Sequence, residues 1–405
     1  MVRELGVNLE FARRHRLAMC ALAMPFVFAA CGASRPRAAP LPTTPSTTHL
    51  GVSSTTSTTT PVATSSSSVP SSTVPQGFEA SSVTFVSPDV GWVLGITCAG
   101  TSCATSLLRT DDAGTSWISI PTPSIMGNIP GSSAEVRFAN PQDGWIVAST
   151  DTAPYTELWA THNGGSRWEA VTLPAALANA SISDLETSGG EVYASFCGDP
   201  VRIGASPVTV NAWTPSPTTL QIGAGPVCGD QMVLQGADGW LMNVDRTVID
   251  GARLADGAWS PWTPPCEASG GPGELAASDP NHLVAVCDGG EYGGPAGVLT
   301  SLSTDGGSTF VPGPQSLPQD DYGPSASPSP GVIILASSEQ GDLLGSFDGG
   351  EKWSPVYSPL SSEGWTYLGF TTSTQGVAIA EGGTMVMTFD GGHAWAPVRF
   401  PSTSS

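Results

Sequence analysis

A chain of 405 residues, 40% of them hydrophobic and only 12% charged, can bury one large core or two ordinary ones. Its 48 glycines and 36 prolines favour short strands and tight turns, and no long stretch after residue 80 carries the 3.6-residue apolar period of a helix. From Glu79 onward 33 acidic residues stand against seven arginines and Lys352, a net charge of −25 within an overall −21. Such a surface repels phosphate backbones and anionic headgroups, which argues against nucleic acid as a partner.

The chain opens with an address. Arg13-Arg-His-Arg16 precedes the apolar run Leu17 to Ala30, too short to span a bilayer as a permanent helix. A basic head, a short apolar segment and small residues at a cleavage point make a secretory signal. The end of the run, Val27-Phe-Ala-Ala-Cys31, resembles a bacterial lipoprotein signal, which implies that Cys31 is lipidated and becomes the first mature residue. Residues 1–31 are thus expected to be a signal peptide, with the protein exported and anchored to the outer face of the cell membrane, or secreted if not lipidated. Residues 32–78 are almost wholly Ser, Thr, Pro, Ala and Val. They cannot bury enough apolar area to offset their ordering entropy and read as a disordered tether.

Residues 79–400 repeat. The octapeptide Thr110-Asp-Asp-Ala-Gly-Thr-Ser-Trp117 recurs as Ser303-Thr-Asp-Gly-Gly-Ser-Thr-Phe310, Ser346-Phe-Asp-Gly-Gly-Glu-Lys-Trp353 and Thr388-Phe-Asp-Gly-Gly-His-Ala-Trp395. A fifth copy, Thr161-His-Asn-Gly-Gly-Ser-Arg-Trp168, has Asn in place of Asp. Adding Trp213 and Trp259 gives seven aromatic anchors, 42 to 51 residues apart. A second unit precedes the anchors, clearest as Val83-Thr-Phe-Val-Ser-Pro-Asp-Val-Gly-Trp-Val-Leu94 and Val136-Arg-Phe-Ala-Asn-Pro-Gln-Asp-Gly-Trp-Ile-Val147. Each unit reads as four strands: one ending in a Pro/Asp/Gly turn, one continuously apolar, a third, then the octapeptide and a fourth beginning at the anchor. Four-stranded units repeated radially predict an all-β, seven-bladed β-propeller of antiparallel blades, with six or eight blades as the alternatives and residues 401–405 as a disordered tail. The ring is expected to close edge to edge between a first blade starting near Ser81 and a last ending near Arg399. The alternative has Gly77 to Ala80 adding an outer strand to the last blade.

The octapeptide resembles the Asp-box, or BNR repeat, of sialidase-like propellers, over five of the seven blades. Locally, the carboxylates of Asp112, Asp305, Asp348 and Asp390 (or the amide of Asn163) can accept turn N–H groups. Gly114, Gly165, Gly307, Gly350 and Gly392 supply positive φ. Trp117, Trp168, Phe310, Trp353 and Trp395 pack between blades. The resemblance implies that these residues are structural and lie on the rim away from any ligand. Six cysteines remain after the signal, an even number in an exported protein, with fifteen possible pairings. Cys98 and Cys103 flank a short loop and are expected to pair. Cys197 with Cys228 and Cys266 with Cys287 follow from proximity alone. No metal-ligand spacing accompanies them, and neither metal nor cofactor is expected.

The mouth opposite the octapeptides is expected to be built from second-to-third-strand loops and inter-blade links. Those segments hold Asp151, Tyr155, Arg202, Glu291, Tyr292, Asp321, Tyr322, Glu363, Trp365 and Tyr367, candidates for a ligand face. Carboxylates among aromatics suit sugar stacking or a cationic partner, although solvated polar loops look the same in sequence. Catalytic residues are not assigned. Sialidases resemble one another in three arginines on the substrate carboxylate, a Tyr–Glu pair and an acidic Asp, and the Phe-Arg-Ile-Pro motif is absent here. Xyloglucanases carry Asp-boxes on paired propellers, whereas this chain offers one ring. The photosystem II assembly factor family is similar in blade pattern and export, but its working surface is basic. The expected function is a monomeric, non-catalytic platform that binds an envelope protein or glycan. The alternative is an exo-sialidase-like glycoside hydrolase acting on envelope or host glycans.

Overall fold

The computed structural model describes residues 73–100, 102–125, 132–150, 156–178, 180–198, 200–220, 230–245, 247–266, 273–287, 298–314, 317, 322–337, 341–359 and 364–401. The expected signal peptide, the tether as far as residue 72 and the tail from residue 402 lie outside them.

Every regular element among these residues is a strand. The strands form seven antiparallel sheets, each of four consecutive strands, over residues 79–120, 132–170, 182–220, 231–262, 273–312, 322–357 and 365–397. The domain is a seven-bladed β-propeller. Blades three and four lack the octapeptide and still have four strands. Blade four turns into its outer strand on the tight pair Asp256-Gly257, both at positive φ.

Blade one shows why the repeat folds this way. Its inner strand Glu79–Phe85 ends in Phe85, which lies over Gly91 at the start of the second strand Gly91–Ala99. A Cβ at Gly91 would sit 2.5 Å from the Phe85 ring, so only glycine admits it. Gly144 lies beneath Phe138 and Gly376 beneath Phe370 in the same way. The tryptophan after Gly91 reaches the next blade: Trp92 is fully buried and stacks on Phe138 at 3.7 Å between centroids. The outer anchors meet the same inner phenylalanines edge-on, Phe85 with Trp117 at 6.4 Å, Phe138 with Trp168 at 6.0 Å and Phe370 with Trp395 at 5.8 Å. Each such pair contributes about 0.5–1.5 kcal/mol beyond its area burial. Between them run second strands buried on both faces, as in Leu283–Cys287, Ile333–Ser337 and Gly376–Ala380.

The ring closes edge to edge, without a strand exchanged between first and last blades. Glu79 and Ala80 pair within blade one, so they add no outer strand to blade seven. Two cross-links hold the seam: the Ala80 N–H donates to Gly383 O (3.3 Å), and Gln375 Nε2 donates to Pro88 O (2.8 Å). Val83, Val93 and Trp117 of blade one share a buried cluster with Val377, Ile379, Met385 and Met387 of blade seven. Packing starts earlier than the expected boundary at residue 79. Val74 and Phe78 are buried in that cluster, with Phe78 edge-on to Phe400 at 5.0 Å.

Candidate functional site

The five octapeptides fold into one hydrogen-bonded turn. In the first, the Thr110 hydroxyl donates to Asp112 Oδ1 (2.8 Å) and accepts the Gly114 N–H (2.9 Å), while Asp112 Oδ1 accepts the Ser116 N–H (2.8 Å). Ser303, Ser346 and Thr388 make the same pair of bonds with Asp305 and Gly307, Asp348 and Gly350, and Asp390 and Gly392. Asn163 takes the aspartate's place, accepting from Thr161 (3.0 Å) and from the Arg167 N–H (2.8 Å). Donors that prefer the charged form hold the four carboxyls below their ordinary range. For Asp305, pulled down to about 2, the Thr309 hydroxyl is foremost, then the Thr309 N–H and the Ser303 hydroxyl. For Asp112 the Ser116 hydroxyl leads, and for Asp348 and Asp390 the N–H groups of Lys352 and Ala394. Each turn is tied to the first-to-second-strand turn of its own blade, as in Ala113 N to Asp89 O (3.0 Å) and Gly349 N to Gly331 O (2.8 Å). Both kinds of turn therefore occupy one end of the ring. The second-to-third-strand loops and inter-blade links occupy the other.

Of the candidates expected there, Asp151, Tyr155, Glu291, Tyr292, Asp321 and Glu363 lie outside the described residues. The backbone of Tyr322 pairs with Ser337. Arg202 sits at the start of a third strand, half-buried and paired with Phe196 through the backbone. Trp365 is a correction. Its ring is buried in the core between blades six and seven, and its indole N–H donates to Gly341 O (2.7 Å). A first-strand position facing the neighbouring blade left it no route to solvent. The Cys98–Cys103 and Cys266–Cys287 disulfides are both formed, the first across directly opposed residues of adjacent strands. Cys197 is also disulfide-bonded, and Cys228 lies outside the described residues.

Tyr367, the remaining candidate, lines the central channel. There it meets residues that the sequence reading did not single out as a site. The inner strands of blades seven, one, two and three enclose a cavity of about 340 Å³, lined by Phe85, Arg137, Phe138, Glu186, Tyr367 and Phe370 among others. Phe85, Phe138 and Phe370 are the last residues of their inner strands, so the cavity lies in the half of the channel nearer the octapeptide turns. That is the end opposite to the expected ligand face. Arg137 donates from Nε to Glu186 Oε1 (2.9 Å) and from Nη1 to Val136 O (3.0 Å), and its guanidinium lies 5.8 Å from the centre of the Tyr367 ring.

Acid surrounds this arginine. Burial works against the Arg137 charge, but Glu186, then Glu135, Tyr367 and Asp184, more than offset it and raise its pKa. Asp184 goes the other way: burial first, then Glu186 and Glu135, push it well above the usual carboxylate range. This happens although its Oδ2 accepts the Met232 N–H at 2.7 Å. Beside it Asp230, nine-tenths buried, accepts from Ser183 (2.7 Å) through Oδ2, while Oδ1 has no partner among the described residues. Burial raises its pKa as well. Further round, Gln231 Nε2 donates to Glu274 Oε2 (2.9 Å). Of the other described arginines, Arg109 stands on Asp111 and over Trp92, Arg167 beside Glu169, and Arg253 close to Asp238 and Ser308. Among the described residues no group of three or more His, Cys, Asp or Glu is arranged to hold a metal ion.

The sequence carried a pattern at these strands but not which of its residues meet. Charged residues at alternate positions of a first strand (Glu135 and Arg137, Asp184 and Glu186) share one face of that strand. In these first strands that face meets the next blade beside the channel, as Arg137 meets Glu186 and Asp184 meets the Met232 N–H.

No protein-family model matches the chain, and no curated protein sequence matches it. Among solved structures it is similar to YCF48 bound to D1 peptide, at 18% identity over 78% of this chain and 95% of that one, with a TM-score of 0.56. YCF48 from Cyanidioschyzon merolae follows at 14% identity, with 78% and 97% covered and a TM-score of 0.56. The GH74 xyloglucanase from Xanthomonas campestris is similar at 14% identity, with 80% of this chain but 55% of that one covered and a TM-score of 0.55. At these identities the likeness concerns the fold.

Proposed function

We propose that this chain is an exported, lipid-anchored, non-catalytic platform that binds an envelope protein through its central channel. The octapeptides are then Asp-boxes, the staples of the rim. The observation that carries the reading is the state of the channel's charged groups. Arg137 is committed to Glu186, Asp184 to a backbone N–H and Asp230 to Ser183, so the polar groups are arranged for contact rather than as a free acid and base. A single ring with a YCF48-like fold, one such structure being described as bound to a peptide, is consistent with a protein ligand. The acidic surface selects a cationic one.

The test is capture of partners from envelope extract by the soluble domain, beside a glycan array and a panel of fluorogenic glycosides. A discrete protein partner, lost when a channel residue such as Glu186 is substituted, supports the reading. Turnover of a glycoside abolished by the same substitution would replace it with the hydrolase. Retention on the array alone would make the ligand a glycan.

A further inference from the structure

We propose that the cavity between the inner strands of blades seven, one, two and three receives a cationic side chain of an extended partner segment. Glu186 is its counter-ion, Tyr367 and Phe370 form its aromatic walls, and Arg137 is the resident cation beside which it binds. This rests on the platform reading and names the chemistry of the partner.

Three observations converge on it. The first is room: about 340 Å³ lies at the small end of ligand-sized cavities, enough for one long side chain rather than a folded domain. The second is the wall. Phe85 of blade one and Phe370 and Tyr367 of blade seven are half-buried residues of the lining, and one of these rings, Tyr367, already faces a guanidinium at 5.8 Å. An aromatic face against a cation is a favourable arrangement. The third is charge. Glu186 and Arg137 are the charged residues lining the cavity, one of each sign, and Glu135 and Asp184 act on Arg137 from beyond the lining, so around this arginine acid outnumbers base. The surplus shows in Asp184, which burial and its two acidic neighbours drive toward protonation despite the arginine. A second cation relieves that repulsion. An anion adds to it. The Tyr367 hydroxyl makes no hydrogen bond among the described residues and is available to a donor or acceptor in the cavity.

Calorimetric titration of the full chain with the pentapeptide amide acetyl-Gly-Gly-Lys-Gly-Gly tests this, with norleucine or glutamate in the central place as controls and free n-butylammonium as a further arm. The lysine peptide should bind and both controls should not. Glu186→Gln should weaken the lysine peptide by about tenfold, the loss of one charge-assisted contact. Arg137→Gln should tighten it severalfold, because the competing cation is gone. Opposite effects of two substitutions at one ion pair are not produced by loss of fold, and a melting curve for each variant verifies that. Equal binding of the norleucine peptide, effects of the same sign, or no binding by both the unaltered chain and Arg137→Gln would each overturn the proposal. Binding of n-butylammonium as tight as that of the peptide would overturn the extended partner and leave a small amine as ligand. Should all peptides fail while the chain still captures an envelope protein, this inference falls and the platform stands.

Discussion

The hydroxyl that opens each octapeptide carries as much of the turn as the aspartate that marks it. Ser303 is buried, donates to Asp305 (2.8 Å) and accepts the Gly307 N–H (2.9 Å), so its removal leaves a buried N–H unsatisfied. Ser303→Ala is expected to lower the unfolding free energy by about 1–3 kcal/mol in urea titration, and Ser303→Thr to leave it nearly unchanged. Threonine already fills the equivalent position at Thr110, Thr161 and Thr388. The acids of the molecule pull its pH dependence in two directions. Asp112, Asp305, Asp348 and Asp390 titrate below their unfolded value of 3.8 when folded. The stability they confer is present above their unfolded value and is lost as pH falls through their folded values, for Asp305 about 2. Asp184 and Asp230 are raised, so the folded state holds their protons longer than the unfolded chain does. Their cost begins as pH rises past 3.8 and is complete only above their folded values. Asp184→Asn, whose amide oxygen can still accept the Met232 N–H, should therefore raise the melting temperature at pH 8 more than at pH 4. An equal rise at both would contradict the assignment.

At the scale of the element, a blade is a strip whose inner and outer ends are tied separately. The inner end is tied by phenylalanine over glycine, the outer by the octapeptide and its aromatic. The Cys266–Cys287 disulfide acts between strips: it joins the segment after the outer strand of blade four to the second strand of blade five, across 21 residues. Cys98–Cys103 closes a hairpin of one blade across only 5. By loop-closure entropy the first contributes about 3 kcal/mol and the second about 2. Serine replacement of Cys266 and Cys287 should thus lower the denaturant midpoint more than replacement of Cys98 and Cys103. Only the former should also loosen hydrogen-exchange protection in two adjacent blades together.

At the scale of the whole molecule, the ring meets itself without a shared blade, and the seam relies on side chains and on the segment that leads in. Val74 and Phe78 lie against blade seven and Phe400, so the start of the domain also locks its end. Phe78→Ala is expected to cost about 3 kcal/mol or more, the usual range for a buried phenylalanine, with unfolding that begins at blades one and seven in exchange measurements. The lead-in joins this seam to the expected anchor. Cys31→Ala should abolish incorporation of labelled fatty acid and release the protein from the membrane fraction. A labelled Cys31→Ala protein would refute lipidation at this residue.

Much of the architecture could be read from the chain because it is written in short range. A hydroxyl, a carboxylate two residues on and a glycine four residues on satisfy one another inside a single turn, so five copies declare five blades before any fold is known. Trp213 and Trp259 declare two more, because burying an indole at a strand start needs no turn motif. The cavity could not be read in that way. Arg137 and Glu186 are 49 residues apart, and Tyr367 comes from the far end of the chain. Each looks like an ordinary charged or aromatic residue in a strand. Trp365 shows the converse, an exposed-looking aromatic that the neighbouring blade covers. By itself the sequence determined the four-stranded wedge, its repetition and its internal ties, since those depend on neighbours within a few tens of residues. Only the folded ring decided which side chains of different blades meet at the channel, Arg137 with Glu186 of the next blade and with Tyr367 of the last, since that depends on how the blades are set round one axis.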